Sequence, residues 1–246
     1  MRPFPVSGLP PRTAERLRQL AWGRPIESPG LEDLRSGRAP WVLCTGEDVP
    51  DPLPPGVRMT VLGVGDRREV LVEGAGTLAD VPKDTRVGVS TARQRALLRA
   101  HHPRLVPVSQ GRADGPVIRP LWPEPELEAH GEVLEWESWL PAPGQGIPVL
   151  LHTDSDTDIP SCPEAAAVLT GERALARRFP QVTTCVLGQA FGGGIRIRAL
   201  LLSADGRRVV RGERQGVRED VGGVARDLAK LLIARGAHRL LESSTN

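Results

Sequence analysis

Residues 182–236, VTTCVLGQAFGGGIRIRALLLSADGRRVVRGERQGVREDVGGVARDLAKLLIARG, decide the fold class. Within them, 182–186, 195–202 and 207–210 run or alternate apolar in the manner of strands. Ala204-Asp205-Gly206 joins the latter two as a hairpin turn, and Gly192-Gly193-Gly194 reads as a flexible hairpin loop rather than a phosphate cradle, because it lies between two strands. Val221, Val224, Ala225, Leu228, Leu231 and Leu232 fall at the i, i+3, i+4, i+7 spacing of an amphipathic helix, and Gly236 sits where a C-cap glycine belongs. Strands and helices together over 161–246 predict a compact α/β unit with its own core.

Working outward, Ser161, Pro163 and Glu164 form a capping-box pattern for a helix to about 178, and 147–152 reads as a strand before it. Residues 109–139 carry Pro116, Pro120, Pro123 and Pro125 with poor periodicity, which predicts an irregular connection or a domain that has lost elements. Further upstream, 41–44, 58–62, 69–72 and 86–89 read as strands, the last feeding a helix capped by Ser90 and running to about 100. A short helix over 13–22 follows Pro10-Pro11 with Thr13 as its cap. Strand-then-helix order favours α/β layering.

Composition bounds the function. At 246 residues and 39 % hydrophobic, the chain can bury more than one modest core. No run approaches the roughly 18 apolar residues of a membrane span, and the opening MRPFPVSGLPPR is broken by four prolines, so neither a membrane nor a secretory route is expected. Cys44, Cys162 and Cys185 are odd in number and lack metal-ligand spacing, which fits the cytoplasm better than a disulfide framework. Net charge is +2, with 32 basic and 30 acidic residues interspersed, so no field for a nucleic-acid backbone is expected. Asp154, Asp156 and Asp158 mimic the opening of a calcium loop but lack its glycine at Ile159 and its closing glutamate; a solvated loop is the better reading, and no metal is expected. His101-His102 at a helix end reads as a surface pair.

Leu140-Pro141-Ala142-Pro143-Gly144-Gln145-Gly146 reproduces without change a segment of the hydroxymethylbilane synthase (porphobilinogen deaminase) family. Residues 34–50 (LRSGRAPWVLCTGEDVP) resemble the family stretch that ends His-Ser-Leu-Lys-Asp-Val-Pro, and 66–72 its Asp-Pro-Arg-Asp-Ala-Leu-Val. Residues 86–98 (RVGVSTARQRALL) resemble Val-Gly-Thr-Ser-Ser-Leu-Arg-Arg-Gln; 171–185, 211–214 and 229–240 follow the family's C-terminal domain. Together these cover most of 34–246.

The resemblance implies an enzyme that condenses four porphobilinogen molecules head to tail, with loss of ammonia, on a dipyrromethane cofactor that it attaches to itself. It implies three small α/β domains, the first two resembling periplasmic-binding-protein lobes: 1–68 plus 143–158, then 69–142, then a cofactor-anchoring domain over 161–246. Asp48 matches the catalytic aspartate, whose carboxylate beside a pyrrole stabilises a cationic methylene; a turn-forming Asp before Val49-Pro50 is the plain alternative. Cys185 stands where the cofactor cysteine belongs, a role that asks for an accessible thiol with thiolate character. A buried structural cysteine is the alternative there. Arg68, Arg93, Thr45 and Gln145 match cofactor-binding or cleft-wall positions, and Arg173 is a further carboxylate binder. The implied form is a cytoplasmic monomer.

The pattern also departs from the family. Glu47 replaces the lysine before the catalytic aspartate, Cys44 the histidine, Gln94 the second arginine of the pair and Val64 the arginine that begins the Asp-Pro-Arg stretch. Gln110-Gly111-Arg112 is all that remains of an Arg-Gly-Asn segment, and a Gly-Thr-Arg-Gly-Ser segment has no counterpart. A second reading therefore stands beside the enzyme: a paralogue that keeps the domains, has lost the anionic cleft, and holds a smaller ligand or a partner.

Overall fold

The computed structural model describes residues 30–74, 76–121, 125–153 and 159–240. The helix expected over 13–22 and the acidic run Asp154, Asp156, Asp158 lie outside them. The chain is mixed α/β, with three sheets among the described residues.

The first sheet is antiparallel. β1 (Trp41–Thr45) and β2 (Arg58–Val61) flank β8 (Pro148–His152), with Val42 opposite Leu151 and Cys44 opposite Val149. α1 (Leu31–Arg35) precedes β1 and buries Leu34. The middle sheet has the order β5-β4-β6-β3-β7, from β3 (Glu69–Val72), β4 (Arg86–Val89), β5 (Val106–Ser109), β6 (Val117–Pro120) and β7 (Gly131–Leu134). β4 runs parallel to β5 and β6, and β3 antiparallel to β6 and β7.

The irregular connection expected over 109–139 is therefore corrected: β6 and β7 lie within it. Each has only four residues, too short for period-two alternation to emerge, and Pro120 is tolerated because it closes its strand. α2 (Ala92–His101) is capped by Thr91, not Ser90. Thr91 accepts from Gln94 N, while Gln94 Oε1 takes the N–H of Thr91 at 3.2 Å, which completes a capping box, and that of Ser90 at 2.7 Å.

The third sheet is a meander of β9 (Thr183–Phe191), β10 (Gly194–Leu202) and β11 (Val209–Val217), each longer than periodicity alone indicates. β11 is polar where it faces solvent, and its glycines serve packing: a Cβ on Gly216 would stand 2.7 Å from Val224, and one on Gly212 about 3.1 Å from Leu228 and Leu232. Glycine thus lets α4 (Val221–Ala234) lie close against the strand. α3 (Pro163–Ala176) starts at Cys162 with Pro163 in its first turn and has no side-chain cap; the expected capping box fails because Ser161 Oγ turns instead to Val61 O at 3.3 Å.

Both faces of the third sheet are covered. Val186, Ile195, Ile197, Ala199 and Leu201 pack on α3 and α4, in a core that continues into the first sheet through Ile147, Val149 and Leu151. Cys185, Leu187, Leu200 and Leu202 pack on Ala96, Leu97 and Leu98 of α2 and on Val87 and Val89 of β4. Each fully buried leucine contributes about 1.5–3 kcal/mol, so the middle sheet and the third are held together by a second core.

Candidate functional site

Asp48 follows the end of β1. Its N–H bonds Thr45 O at 3.1 Å, closing a turn, and Thr45 Oγ1 donates to Asp48 Oδ2 at 2.8 Å. The turn is held from behind by the 140–147 segment. Gly46 N donates to Ile147 O at 2.8 Å, and Gly144 adopts φ +81 where a Cβ would stand 2.4 Å from Gly46 C. Only glycine allows that approach, which gives the Pro-Gly-Gln-Gly run a local physical meaning.

The exposed Asp48 and Glu47 carboxylates open on a cavity of about 390 Å³, with Pro143 on one wall and Arg173 and Arg177 across it. Both arginines have partners. Arg173 Nη2 donates to Pro50 O at 2.6 Å and to Val49 O at 3.2 Å, and Arg177 Nε bonds Asp51 at 2.6 Å. Glu47 is held above the ordinary carboxylate range by desolvation first and by neighbouring Asp48 second. Burial, then Asp48, pushes the Cys44 thiol up to about 11.

Behind this turn lies a buried charge junction. Glu172 accepts from both Arg67 Nη atoms, at 2.6 and 2.8 Å, and from the backbone N–H groups of Gly188 and Gly144, at 2.6 and 2.8 Å. Arg67 Nε donates to Gln145 O at 2.8 Å, and Gln145 Nε2 donates to Arg67 O at 3.0 Å. Gln145 Oε1 in turn accepts from Arg93 at 3.1 Å. Arg93 donates to Leu140 O at 2.8 Å and to Glu69 Oε1 at 2.5 Å; Gln94 Nε2 reaches the same oxygen at 2.8 Å, and Trp139 Nε1 the other. Two guanidiniums and two carboxylates, all nearly dry, neutralise one another where the three sheets meet.

Of the residues singled out in the sequence, Thr45 and Asp48 are brought together. Gln145 and Arg93 are brought together in the junction, behind the acidic cavity and not on its wall. Arg68 bonds Asp66 through Nε and Nη2, at 3.1 and 2.7 Å, and comes within 3.2 Å of Glu128. Cys185 is 0 % exposed against α2, and burial pushes its thiol up to about 12 despite the nearby Arg93. Its pairing with Leu200 across the sheet puts it on the face that α2 covers.

His101 and His102 are half-buried and not a surface pair. Arg67, Glu69, Glu172 and Trp139 carry the junction and were not singled out. A glutamate opening the otherwise apolar run Glu69-Val70-Leu71-Val72 was the available signal, since a charge in a buried strand requires a partner.

Three sheets about a buried junction of charges, with an acidic turn beside a cavity, define a multi-sheet α/β protein. Residues 31–113 match the family model described as porphobilinogen deaminase, dipyromethane cofactor binding domain. Porphobilinogen deaminase of Bordetella parapertussis is 32 % identical over 234 residues, covering 85 % of this chain and 74 % of that protein. The protein of the same name from Roseiflexus castenholzii is 30 % identical over 239 residues, covering 85 % and 78 %. That from Deinococcus radiodurans is 26 % identical over 268 residues, covering 94 % and 85 %. The chain belongs to the porphobilinogen deaminase family.

The family's cofactor is dipyrromethane, and the residues present do not fit it in this closed arrangement. The thiol of Cys185 faces protein, and the guanidiniums of Arg93 and Arg68 already hold the chain's own carboxylates. A pyrrole's acetate and propionate would have to displace Glu69 and Asp66 to reach them.

Proposed function

We propose that the chain is a transferase of the porphobilinogen deaminase type, condensing porphobilinogen head to tail with release of ammonia, with Asp48 as the carboxylate beside the reacting methylene. The observation that carries this reading is the Asp48 turn: an exposed carboxylate, oriented by the Thr45 hydroxyl at 2.8 Å, at the mouth of a cavity large enough for a substituted pyrrole. Departure of ammonia from the protonated aminomethyl group leaves an electron-poor methylene conjugated with the ring nitrogen. A carboxylate accepting the pyrrole N–H stabilises that charge, and the attacking ring then loses its proton. Asp48→Ala is expected to lower hydroxymethylbilane formation about 10²–10⁴-fold with an unchanged circular dichroism spectrum. Full activity would remove Asp48 from the chemistry.

The finer features go with this proposal. The reading takes the chain as three domains, 1–68 plus 143–158, 69–142 and 161–246, the first two built like periplasmic-binding-protein lobes. The protein works as a cytoplasmic monomer without nucleic acid, and no helix among the described residues is long and apolar enough to cross a membrane. Thr45 orients Asp48, while Arg68, Arg93 and Gln145 serve a bound cofactor only after the junction opens. Covalent attachment through Cys185 requires β9 to part from α2. Intact-protein mass spectrometry of material made in a host that supplies porphobilinogen tests this, with Cys185→Ser as control. A dipyrromethane increment absent from the control supports the anchor.

An unmodified mass in a folded, inactive protein supports the second reading, a catalytically degenerate paralogue acting as a ligand-binding or scaffold protein. The observation favouring that reading is the saturation of Arg68 and Arg93 by internal carboxylates.

A further inference from the structure

Three of the four buried side-chain nitrogens that lack a hydrogen-bond partner among the described residues, His101 Nε2, Trp136 Nε1 and Arg198 Nε, belong to residues that line one cavity. It has a volume of about 240 Å³ and shares no lining residue with the Asp48 cavity. It lies where the C-terminal end of α2 and the 136–140 segment meet the outer part of the third sheet.

Three arginines line this cavity beside the carboxylates of Glu137 and Glu213, and strand register explains how Arg198 and Arg211 come to share its face. Residues opposite one another on paired strands share a face of the sheet. Arg198 stands opposite Glu213 and Arg211 opposite Leu200, so all four project from the face whose inner part, Cys185 and Leu200, is covered by α2. Arg235, just beyond α4, reaches across to donate from Nη1 to Arg211 O at 2.7 Å. Among the described residues no carboxylate lies within ion-pair distance of Arg198, Arg211 or Arg235, and Glu213 instead approaches Arg196 at 3.6 Å. His101 is kept neutral by burial first and by His102 and Arg211 after it.

Indole N–H and guanidinium Nε–H can only donate, so whatever completes them must be an acceptor. Buried donors left alone are unfavourable and rare. We propose that this cavity binds a small carboxylate- or phosphate-bearing anion, with Trp136 and Arg198 donating from its inner wall and Arg211 and Arg235 supplying charge at its mouth. Leu140 and Leu200 offer an apolar wall for a short hydrocarbon portion. The volume corresponds to about eight waters at ≈ 30 Å³ each, and water is the competing occupant.

The test follows the Trp136 indole N–H resonance, assigned through Trp136→Phe, while inorganic phosphate or malonate replaces chloride at constant ionic strength. The expected result is a saturable downfield shift with Kd of about 1 mM or tighter, weakened about tenfold in Arg198→Gln and in Arg211→Gln. Tighter malonate binding identifies a carboxylate ligand, and tighter phosphate binding a phosphate ligand. Arg211 is exposed, so its variant keeps the test decisive should Arg198→Gln misfold. A resonance that neither anion moves, or an affinity unchanged in the variants that fold, overturns the site and leaves water as the occupant.

Discussion

The charge junction and the cavity beside Trp136 are both built around arginines, yet they are completed in opposite ways. In the junction every guanidinium has a carboxylate of the chain: Arg67 has Glu172 and Arg93 has Glu69. In the cavity Arg198 has none, and its Nε is buried without an acceptor. A charge-paired network, even one in which Arg93 Nε lacks an acceptor, resists an incoming anion, because the anion must displace a bound carboxylate and leave it buried alone. An unpaired one invites it. The arginines that the family pattern marks, Arg68 and Arg93, hold the chain's own carboxylates, whereas Arg198 holds none.

The largest expected effect concerns Cys185. A thiol pushed from 9.0 to about 12 has a thiolate population about a thousandfold below ordinary at pH 8, and α2 blocks access besides. Labelling with a chromogenic disulfide should leave Cys185 unmodified in the native protein and modify it on denaturation. Rapid native labelling would show that the junction opens readily, and the contrast with the cavity would collapse.

Glu172→Ala comes next. It strips four donors of their acceptor and leaves Arg67 buried and uncompensated, at a cost of about 3–5 kcal/mol in urea unfolding. The double variant Arg67→Met with Glu172→Leu should cost less than Glu172→Ala alone, because no orphaned charge remains. If Glu172→Ala costs under about 1 kcal/mol, within the range of exposed pairs, the junction is wetter than described.

Gly144→Ala forces a side chain into a left-handed position against Gly46 and should cost about 1–3 kcal/mol. It should also disturb the Asp48 turn without touching the Trp136 cavity, so loss of activity with anion binding intact would separate the two regions. An equal loss in both would join them.

The smallest effect is a pH slope. His101 has its pKa lowered by burial and by His102 and Arg211, so the unfolded chain takes up a proton below about pH 6.5 where the native chain does not. Stability present above that pH is lost as pH falls towards the folded value. His101→Asn should flatten the slope of unfolding free energy between about pH 7 and pH 5, leaving the part that belongs to His102, which is lowered by burial and Arg104. An unchanged slope would place His101 in water.

Much of this was legible in the residues. The third sheet and α4 stand out because strand alternation and helical spacing are local signals, carried by neighbours in sequence. The run Leu140–Gly146 carried the family, and Thr45 and Asp48 are close enough in the chain for their turn to be read directly. The middle sheet was only partly legible, since β6 and β7 have four residues each and pair with residues far away in sequence, as in Val70 opposite Arg119, 49 positions on, and Glu69 opposite Leu134, 65 positions on.

By itself, then, the sequence determined the family, the α/β class, the strands and helices of the last third, and the acidic turn at Asp48. The tertiary structure alone decided which charges meet. Glu69 lies 24 residues from Arg93, and Glu172 lies 105 from Arg67. Nothing in local periodicity records such distances, because burial and ion pairing depend on how finished elements pack. The same holds for Cys185: alternation along β9 sets it on one face of the sheet, but only the docking of α2 makes that face an interior.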